Sequence, residues 1–443
     1  MAGSDADTDV DSEARRELAR ECALAGVDAA HPATVVRERV ALDAGREHLR
    51  VGDETIALGD YEEVVVLGGG NAASQVAAAL EDVLGETLSG GVVVTDDPAE
   101  TARVDVLPGD HPVPSERGVA STRDLLDAAD AVGPDTLVLA VVTGGASALL
   151  PAPAAGITLS DLRETTDALL DSGATIHEVN AVRKHCSALK GGRLAARLAS
   201  ARVATLVFSD VVGDDLSVIG SGPTVPDPST YADALAVLDD YDVSVPEAVR
   251  THLEGGAAGE REETPGAGDP AFAGVSTHVL ATNRTAVDAA AERAREAGYE
   301  PLVLSTRVRG EAREAAKTHV AVAEEALSTG DPAEPPCVVV SGGECTVTVR
   351  GSGEGGPNLE FALSAALELD GEAALCALDT DGIDGATDAA GAVVDGETIT
   401  DRRAARRALR ANDALPALDD ADALVTTGAT GTNVNDLRVL VVG

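Results

Sequence analysis

Apolar residues in this chain come in short continuous runs that end in small or polar residues. "VVVLGGG" (Val64–Gly70), "GGVVVTDD" (Gly90–Asp97), "TLVLAVVTGGASALL" (Thr136–Leu150) and "VATLVFSDVVGDD" (Val203–Asp215) follow one another, with alanine-rich helical stretches such as "AASQVAAALEDVLG" between them. Runs without polar alternation, rich in valine and leucine, predict parallel strands buried on both faces by helices. Ligands of such sheets sit beyond the carboxyl ends of the strands, so the Gly, Ser, Thr and Asp residues closing each run are the first place to look for chemistry. Upstream, the pattern predicts a helix over Ser12–Ala25 and a short strand or hairpin over Leu49–Leu58.

The pattern lapses between Glu254 and Gly274, where "EGGAAGEREETPGAGDPAFAG" is rich in Gly, Pro and charge and reads as a flexible linker or loop. Beyond it the alternation resumes with "THVLATN", a helix from about Thr285 to Gly298, "EPLVLST" and a helix from Gly310 to Leu327, and it closes with "PPCVVVSGGECTVTV" and "ALVTTGATGTNVNDLRVLVVG". With 443 residues, two domains are the expectation: an N-terminal α/β domain over 1–253 and a C-terminal α/β region over 275–443.

Composition changes the picture through charge. Asp and Glu number 76 against 33 Lys and Arg, a formal charge of -43, while 44% of residues are hydrophobic, so the chain can fold and its surface is strongly acidic. Such a surface disfavours nucleic acid and suits a salt-rich cytoplasm, where screening confines charge repulsion to roughly 3 Å at 1 M salt. The five cysteines form no CxxC pair, which points away from zinc and from a disulfide framework; no run reaches the length of a membrane span, and the acidic N-terminus is unlike a signal peptide. The expected location is the cytoplasm.

Against this acidity, lysine becomes informative. There are three, Lys184, Lys190 and Lys317, and two lie in "VNAVRKHCSALKGGRLA" with Arg183, His185 and Arg193. A local cationic island is what an anionic substrate would need in a protein whose overall field repels it; a basic helix face paired with neighbouring carboxylates is the plainer alternative. The strand-end loops "TGGASALL" and "SGPT" supply small hydroxyls, Ser147, Ser221 and Thr224, and glycines that let backbone N–H groups approach an anion. "SDVVGDD" and "LDTDGIDGATDAAG" supply Asp210 and Asp381 as candidates for a metal or a base, though turn formation accounts for dense aspartates equally well. There is no GxSxG elbow, no GxGxxG with a downstream acid and no GxxxxGK[ST] loop.

Five long segments in order, "TGGASALLPAPAAGITLSDL", "SGATIHEVNAVRKHCSALKGGRLA", "SDVVGDDLSVIGSGPTVPDPSTY", "TDGIDGATDAAGA" and "TTGATGTNVNDL", resemble the type II glycerate kinases, the glycerate 2-kinase family whose C-terminal part is the MOFRL domain. The resemblance implies a larger N-terminal Rossmann-like α/β domain with a parallel sheet, a smaller C-terminal α/β MOFRL domain at about 336–443, and an active site in the cleft between them. It implies ATP-dependent phosphorylation of D-glycerate to 2-phosphoglycerate with Mg²⁺. D-glycerate and ATP are then the expected partners, with a homodimer as the expected assembly.

Carried onto this chain, the resemblance implies catalytic roles for Asn71, Lys184 and Asp210, with Gly69, Gly70, Ser147, Arg183 and Lys190 at the substrate. Ser221, Thr224, Gly342, Gly343, Asn358, Thr430 and Asn433 would meet the nucleotide, and Asp210 and Asp381 the metal. Two departures stand out. Asn71 occupies the place of a family lysine regarded as catalytic, and Pro357, in "GEGGPNLEF", that of an arginine also thought to act at the site. Either the remaining cations and metal take over their electrostatic work, or the chain binds glycerate or nucleotide without efficient transfer. Some members carry the label hydroxypyruvate reductase, but no dinucleotide fingerprint is present here.

Overall fold

A computed structural model describes residues 5–443, with side chains from residue 12 onward. It divides into two compact units, Pro32–Leu280 and a second built from Met1–His31 with Ala281–Gly443.

The first unit is organised by a six-stranded sheet in the order Val104–Pro108, Gly90–Thr95, Glu63–Gly69, Thr136–Val142, Arg202–Phe208 and Val275–Ala281. The first five strands pair in parallel, as the unbroken apolar runs predict. Thr136–Val142 is buried along its whole length, because strands flank it and helices cover it. Its neighbour Glu63–Gly69 approaches so closely that a Cβ on Gly68, whose φ is +152°, would overlap the carbonyl of Val141. A small antiparallel sheet, Val40–Leu42, His48–Val51 and Glu54–Ala57, realises the predicted hairpin.

The second unit holds a six-stranded mixed sheet in the order Glu300–Glu311, Cys337–Thr346, Asp436–Val442, Ala373–Asp379, Gly391–Asp395 and Leu424–Val425. The first pair is parallel and the others antiparallel. Leu375 and Ala377 belong to a core shared with Leu359, Phe361, Ala316 and Val320 of the helices Pro357–Ala366 and Ala312–Thr329. Helices Asp5–Ala30 and Asn283–Glu296 pack on each other and against the strands Ala373–Asp379 and Asp436–Val442.

The units divide the chain differently from the expectation. Residues 254–274 do not separate them: Thr264 is buried and donates to Asp227 at 3.0 Å, and Gly274 accepts from the N–H of Val203 at 2.8 Å, so this stretch is folded into the first unit. The N-terminal helix, expected to belong with residues up to 253, lies in the other unit, burying Leu18, Ala19, Cys22 and Ala23; a Cβ on Gly26 would come within 2.7 Å of the carbonyl of Ala286. All five cysteines are free and buried.

Gly68→Ala is expected to destabilise the first unit by more than about 3 kcal/mol, because the added methyl must push apart two paired backbones. A lowered urea midpoint with unchanged slope checks it.

Candidate active site

At the carboxyl ends of the central strands of the first unit, three loops converge. Gly70–Ala72 follows Glu63–Gly69, Thr143–Gly145 follows Thr136–Val142, and Ser209–Asp210 follows Arg202–Phe208. Asn71 donates its N–H to Gly144 at 2.8 Å, and a Cβ on Gly144 would come within 2.8 Å of the Asp210 carboxyl carbon. Asn71, Gly70 and Asp210 are thus brought together at this strand end, and Ser147 lies in the short helix Ala146–Leu149 that follows.

The glycine-rich first loop, however, has no N–H to offer an anion. The amides of Gly70, Asn71 and Ala73 go to the carbonyls of Val94, Gly144 and Gly70, and that of Ala72 to the Thr143 hydroxyl at 3.2 Å. Gly69 is paired within the sheet on both sides. The substrate role expected of Gly69 and Gly70 is therefore corrected: these glycines allow close packing, and a Cβ on Gly70 would come within 2.6 Å of the carbonyl of Thr143. The Asn71 amide donates to both oxygens of Asp96, at 2.9 and 3.0 Å, so the position carries no positive charge and is held by a carboxylate.

The cations come from the helix Ile176–His185 and the turn after it. A capping box between Thr175 and Glu178 starts this helix, and the spacing of three and four residues sets Asn180, Arg183 and Lys184 along one side. Lys184 meets Asp227 at 3.1 Å with both side chains almost fully shielded. Burial alone would raise the Asp227 carboxyl, but the Lys184 charge and the hydrogen bonds from Ser229 and Lys184 outweigh it and hold it below its ordinary value. Lys184, expected to be catalytic, is a structural ion pair instead.

Arg183 and Lys190 differ. Arg183 has neither hydrogen bond nor ion pair among the described residues, and burial lowers its pKa. Lys190 is 6% exposed and its ammonium reaches the carbonyl of Leu150 at 3.3 Å; burial, then the nearby Arg183 charge, lower its pKa to about 7. Next to them runs a chain of neutral donors. Ser147 and Ser221 share a hydrogen bond of 2.8 Å, and Ser221 donates to Asn180 Oδ1 at 3.1 Å, leaving the buried Asn180 Nδ2 without a partner. The amide of Gly191 closes the group by donating to the Ser221 carbonyl at 3.0 Å. Two unpaired cations and an unused amide donor are a constellation that an anion completes. Asn180 was missed from sequence; its place three residues before Arg183, one turn away if the basic segment is taken as a helix face, was the available signal.

Asp210 is half-buried, and burial raises its carboxyl pKa, opposed by the backbone N–H groups of Asp210 and Gly145 and by the His111 charge. A carboxyl moved toward neutrality is suited to accept a hydroxyl proton. Thr224 is buried in the turn after Ser221.

In the second unit the expectations divide. Gly342 and Gly343 lie inside Cys337–Thr346, paired with Leu437 and Asp436 on one side, and a Cβ on Gly342 would strike the Asn283 side chain. Asn358 is fully buried and donates Nδ2 to Asp384 at 3.2 Å and Asp436 at 2.7 Å, while the Asp384 carboxylate receives the N–H groups of Asn358 and Leu359. The nucleotide roles expected of Gly342 and Gly343 are corrected to packing, while Asn358 Oδ1 stays buried without a partner. Thr430 and Asp381 do meet, Thr430 donating its N–H to the Asp381 carbonyl at 3.0 Å, and the Asn433 side chain accepts from the amide of Asn435. Among the described residues no three His, Cys, Asp or Glu side chains gather as a metal cage.

Comparison with known proteins agrees with this architecture. Residues 18–254 match the family model described as a domain of unknown function, DUF4147, and 337–436 match the MOFRL family. A glycerate 2-kinase from Pyrococcus horikoshii is 41% identical over 89% of this chain and 92% of its own length, and a D-glycerate 2-kinase from Thermotoga maritima 37% over 97% and 99%. A protein named putative hydroxypyruvate reductase from Agrobacterium vitis is 42% identical over 86% and 87%. The crystal structure of the Thermotoga maritima glycerate kinase superposes with a TM-score of 0.85 at 36% identity, over 97% of this chain and all of the other. The fold is that of a two-unit α/β protein with three loops converging at the carboxyl ends of a parallel sheet in its first unit. The chain belongs to the glycerate 2-kinase family with DUF4147 and MOFRL domains.

Two predictions follow from the cations. Lys184→Met is expected to cost about 3–5 kcal/mol in chemical denaturation, since Asp227 is left charged and buried, and Lys184→Met with Asp227→Leu should recover most of it. Lys190 gives a pH dependence. Between about pH 7 and the ordinary lysine value of 10.5 the unfolded chain binds a proton at this residue that the folded protein lacks, so its destabilising effect is full below pH 7 and fades as pH rises. A bound anion relieves it, so inorganic sulfate should bind about tenfold tighter at pH 6 than at pH 9 by calorimetry, and Lys190→Met should flatten the profile.

Proposed function

We propose that the protein is a D-glycerate 2-kinase that transfers the γ-phosphoryl group of ATP to the 2-hydroxyl of D-glycerate. The observation that carries this reading is the Arg183 and Lys190 pair, two cations without a carboxylate partner among the described residues in a chain of formal charge -43. The glycerate carboxylate neutralises them, while the unused Asn180 Nδ2 donates to one of its oxygens. Asp210, the carboxyl at the strand end, accepts the proton of the attacking hydroxyl. The names carried by the Pyrococcus and Thermotoga relatives support the same substrate.

Phosphoryl transfer asks the protein mainly for alignment and charge neutralisation. The Mg²⁺ that accompanies ATP needs only one or two carboxylates beside the phosphates, and either Asp210 in the first unit or Asp381 in the second has the right chemistry to serve; it would neutralise phosphate oxygens. Thr224, Thr430 and Asn433 are the remaining candidates for the nucleotide. The acidic surface supports a salt-rich cytoplasm as the setting, and no helix among the described residues is long and apolar enough to cross a membrane.

One observation favours a second reading, a glycerate- or nucleotide-binding homologue without turnover. Asn71 is engaged by Asp96, and Pro357 opens the helix Pro357–Ala366, so neither position where the family carries a cation supplies one.

A coupled assay in high salt decides between them. ADP formation that requires D-glycerate is expected, with 2-phosphoglycerate as product; thermal stabilisation by glycerate without ADP would establish the binder, and nicotinamide oxidation on adding hydroxypyruvate would overturn both. Arg183→Gln is expected to raise KM for glycerate about a hundredfold. Asn71→Lys, which returns a cation next to the transferred group, is expected to raise kcat about tenfold or more.

A further inference from the structure

Residues 254–274 read in sequence as a linker, and the chemistry described above uses none of their charged groups. Yet three consecutive residues within them, outside any helix or strand, are each tied to the cation-bearing part of the first unit. Glu263 meets Nε2 of His185 at 3.1 Å and accepts the N–H of Tyr231 at 3.0 Å. Thr264 donates to Asp227 at 3.0 Å, and a Cβ on Gly191, the residue after Lys190, would come within 3.0 Å of the Thr264 methyl carbon. The carbonyl of Pro265 accepts the N–H of Asp227 at 2.9 Å.

His185 closes the helix Ile176–His185, two residues after Arg183, and is fully buried. Its Nδ1 faces the carbonyl of Ala181 at 2.7 Å, an acceptor with no proton to give, so Nδ1 carries one. Its Nε2 faces Glu263, with the Thr264 hydroxyl at 3.4 Å, but that hydroxyl directs its own proton to Asp227. A second proton therefore lies between His185 and Glu263, since a bare Nε2 against a carboxylate would set lone pair against lone pair. The C-terminal end of a helix favours the positive charge this places on the ring. The neighbouring histidine is the opposite case. His252 donates Nε2–H to the carbonyl of His185 at 2.9 Å, and burial lowers its pKa, with the Arg261 and Arg193 charges acting the same way.

We propose that His185 and Glu263 are positioning residues for the anion site: the proton they share clamps Glu263, Thr264 and Pro265 onto the helix end, and so sets where Arg183 and the turn to Lys190 stand. The inference rests on the reading of Arg183 and Lys190 as the site of the substrate anion. Neither residue touches that anion. They act through the backbone that carries the two cations, Glu263 by holding the last side chain of the helix and Thr264 by packing on the turn beside Lys190.

Histidine ring-nitrogen NMR and calorimetry with inorganic sulfate, both on the intact protein at neutral pH, test it. In the wild type both ring nitrogens of His185 are expected to carry protons. The Glu263 side chain is 45% exposed, so Glu263→Gln opens no cavity in the core. This variant should leave His185 with one ring proton and weaken sulfate binding about tenfold. If His185 kept both protons, the variant would gain net positive charge and bind sulfate more tightly, so weaker binding together with one ring proton is the signature of the clamp. Glu262→Gln, the same loss of charge one residue away, should change neither readout. A wild-type His185 with a single ring proton overturns the proposal. If Arg183→Gln abolishes sulfate binding while Glu263→Gln binds it as tightly as the wild type, this inference alone falls. If Arg183→Gln binds sulfate unchanged, the anion reading falls and this inference with it.

Discussion

The buried pair between Lys184 and Asp227 governs the site. It ties the helix Ile176–His185 to the segment after Thr224, and Thr264 and Ser229 complete the coordination of Asp227. An ion pair this deep offers little net stability over apolar residues of the same volume, because both charges lose their water. Its consequence is orientation. With Lys184 held inward, the same side of the helix sets Asn180 beside Ser221, and Arg183 is left with no carboxylate to claim it. The desolvation of Lys190 then follows from its place in the turn against Leu150 and Ser221. One satisfied cation thus defines two unsatisfied ones.

The same physics explains what could be read from the sequence. The parallel sheet was legible because strands buried on both faces must be apolar throughout, as Thr136–Val142 is. The cationic island was legible because lysine is so scarce. Which lysine is held in an ion pair was not, since Asp227 lies 43 residues beyond Lys184 and no local pattern announces the pair. The glycines of "VVVLGGGNAAS" misled for a related reason: a glycine needed for a phosphate and one needed for a neighbouring backbone look alike until the amide partners are known. In this loop every amide from Gly70 to Ala73 has an internal acceptor.

In the second unit, distance along the chain again hides the answer. Arg438, fully buried in the middle strand, pairs with Asp436 and lies over the ring of Phe361 at 4.7 Å, and Asp436 in turn holds Asn358. Asp384, raised to about 7 chiefly by burial, caps the helix that follows Pro357. This connected polar core engages Asn358 Nδ2 with two carboxylates and leaves Asn358 Oδ1 and part of the Arg438 guanidinium without partners. The N-terminal helix shows the same limit: its apolar positions say that it packs against something, and nothing in their period says that its partners are Asn283–Glu296 and the last strand.

Charge imbalance is therefore the more informative signal in this protein, and it acts at short range. Despite 76 acidic residues, exposed arginines such as Arg37, Arg123 and Arg261 make no ion pair among the described residues, so what marks a cation is being unpaired while shielded from water. Arg183 and Lys190 are kept unpaired by burial beside neutral donors, which favours a small anion that can enter and shed its water. Arg403, Arg406, Arg407 and Arg410 are unpaired while exposed, where water and salt screen each charge. Asn71 falls on the other side of this division: it is coupled to Asp96, so a lysine placed there would meet a carboxylate already in position. The loss of the family's cation at this loop is consequently a loss of net charge and leaves the surrounding packing intact, which is why the barrier to phosphoryl transfer is the quantity it should change most.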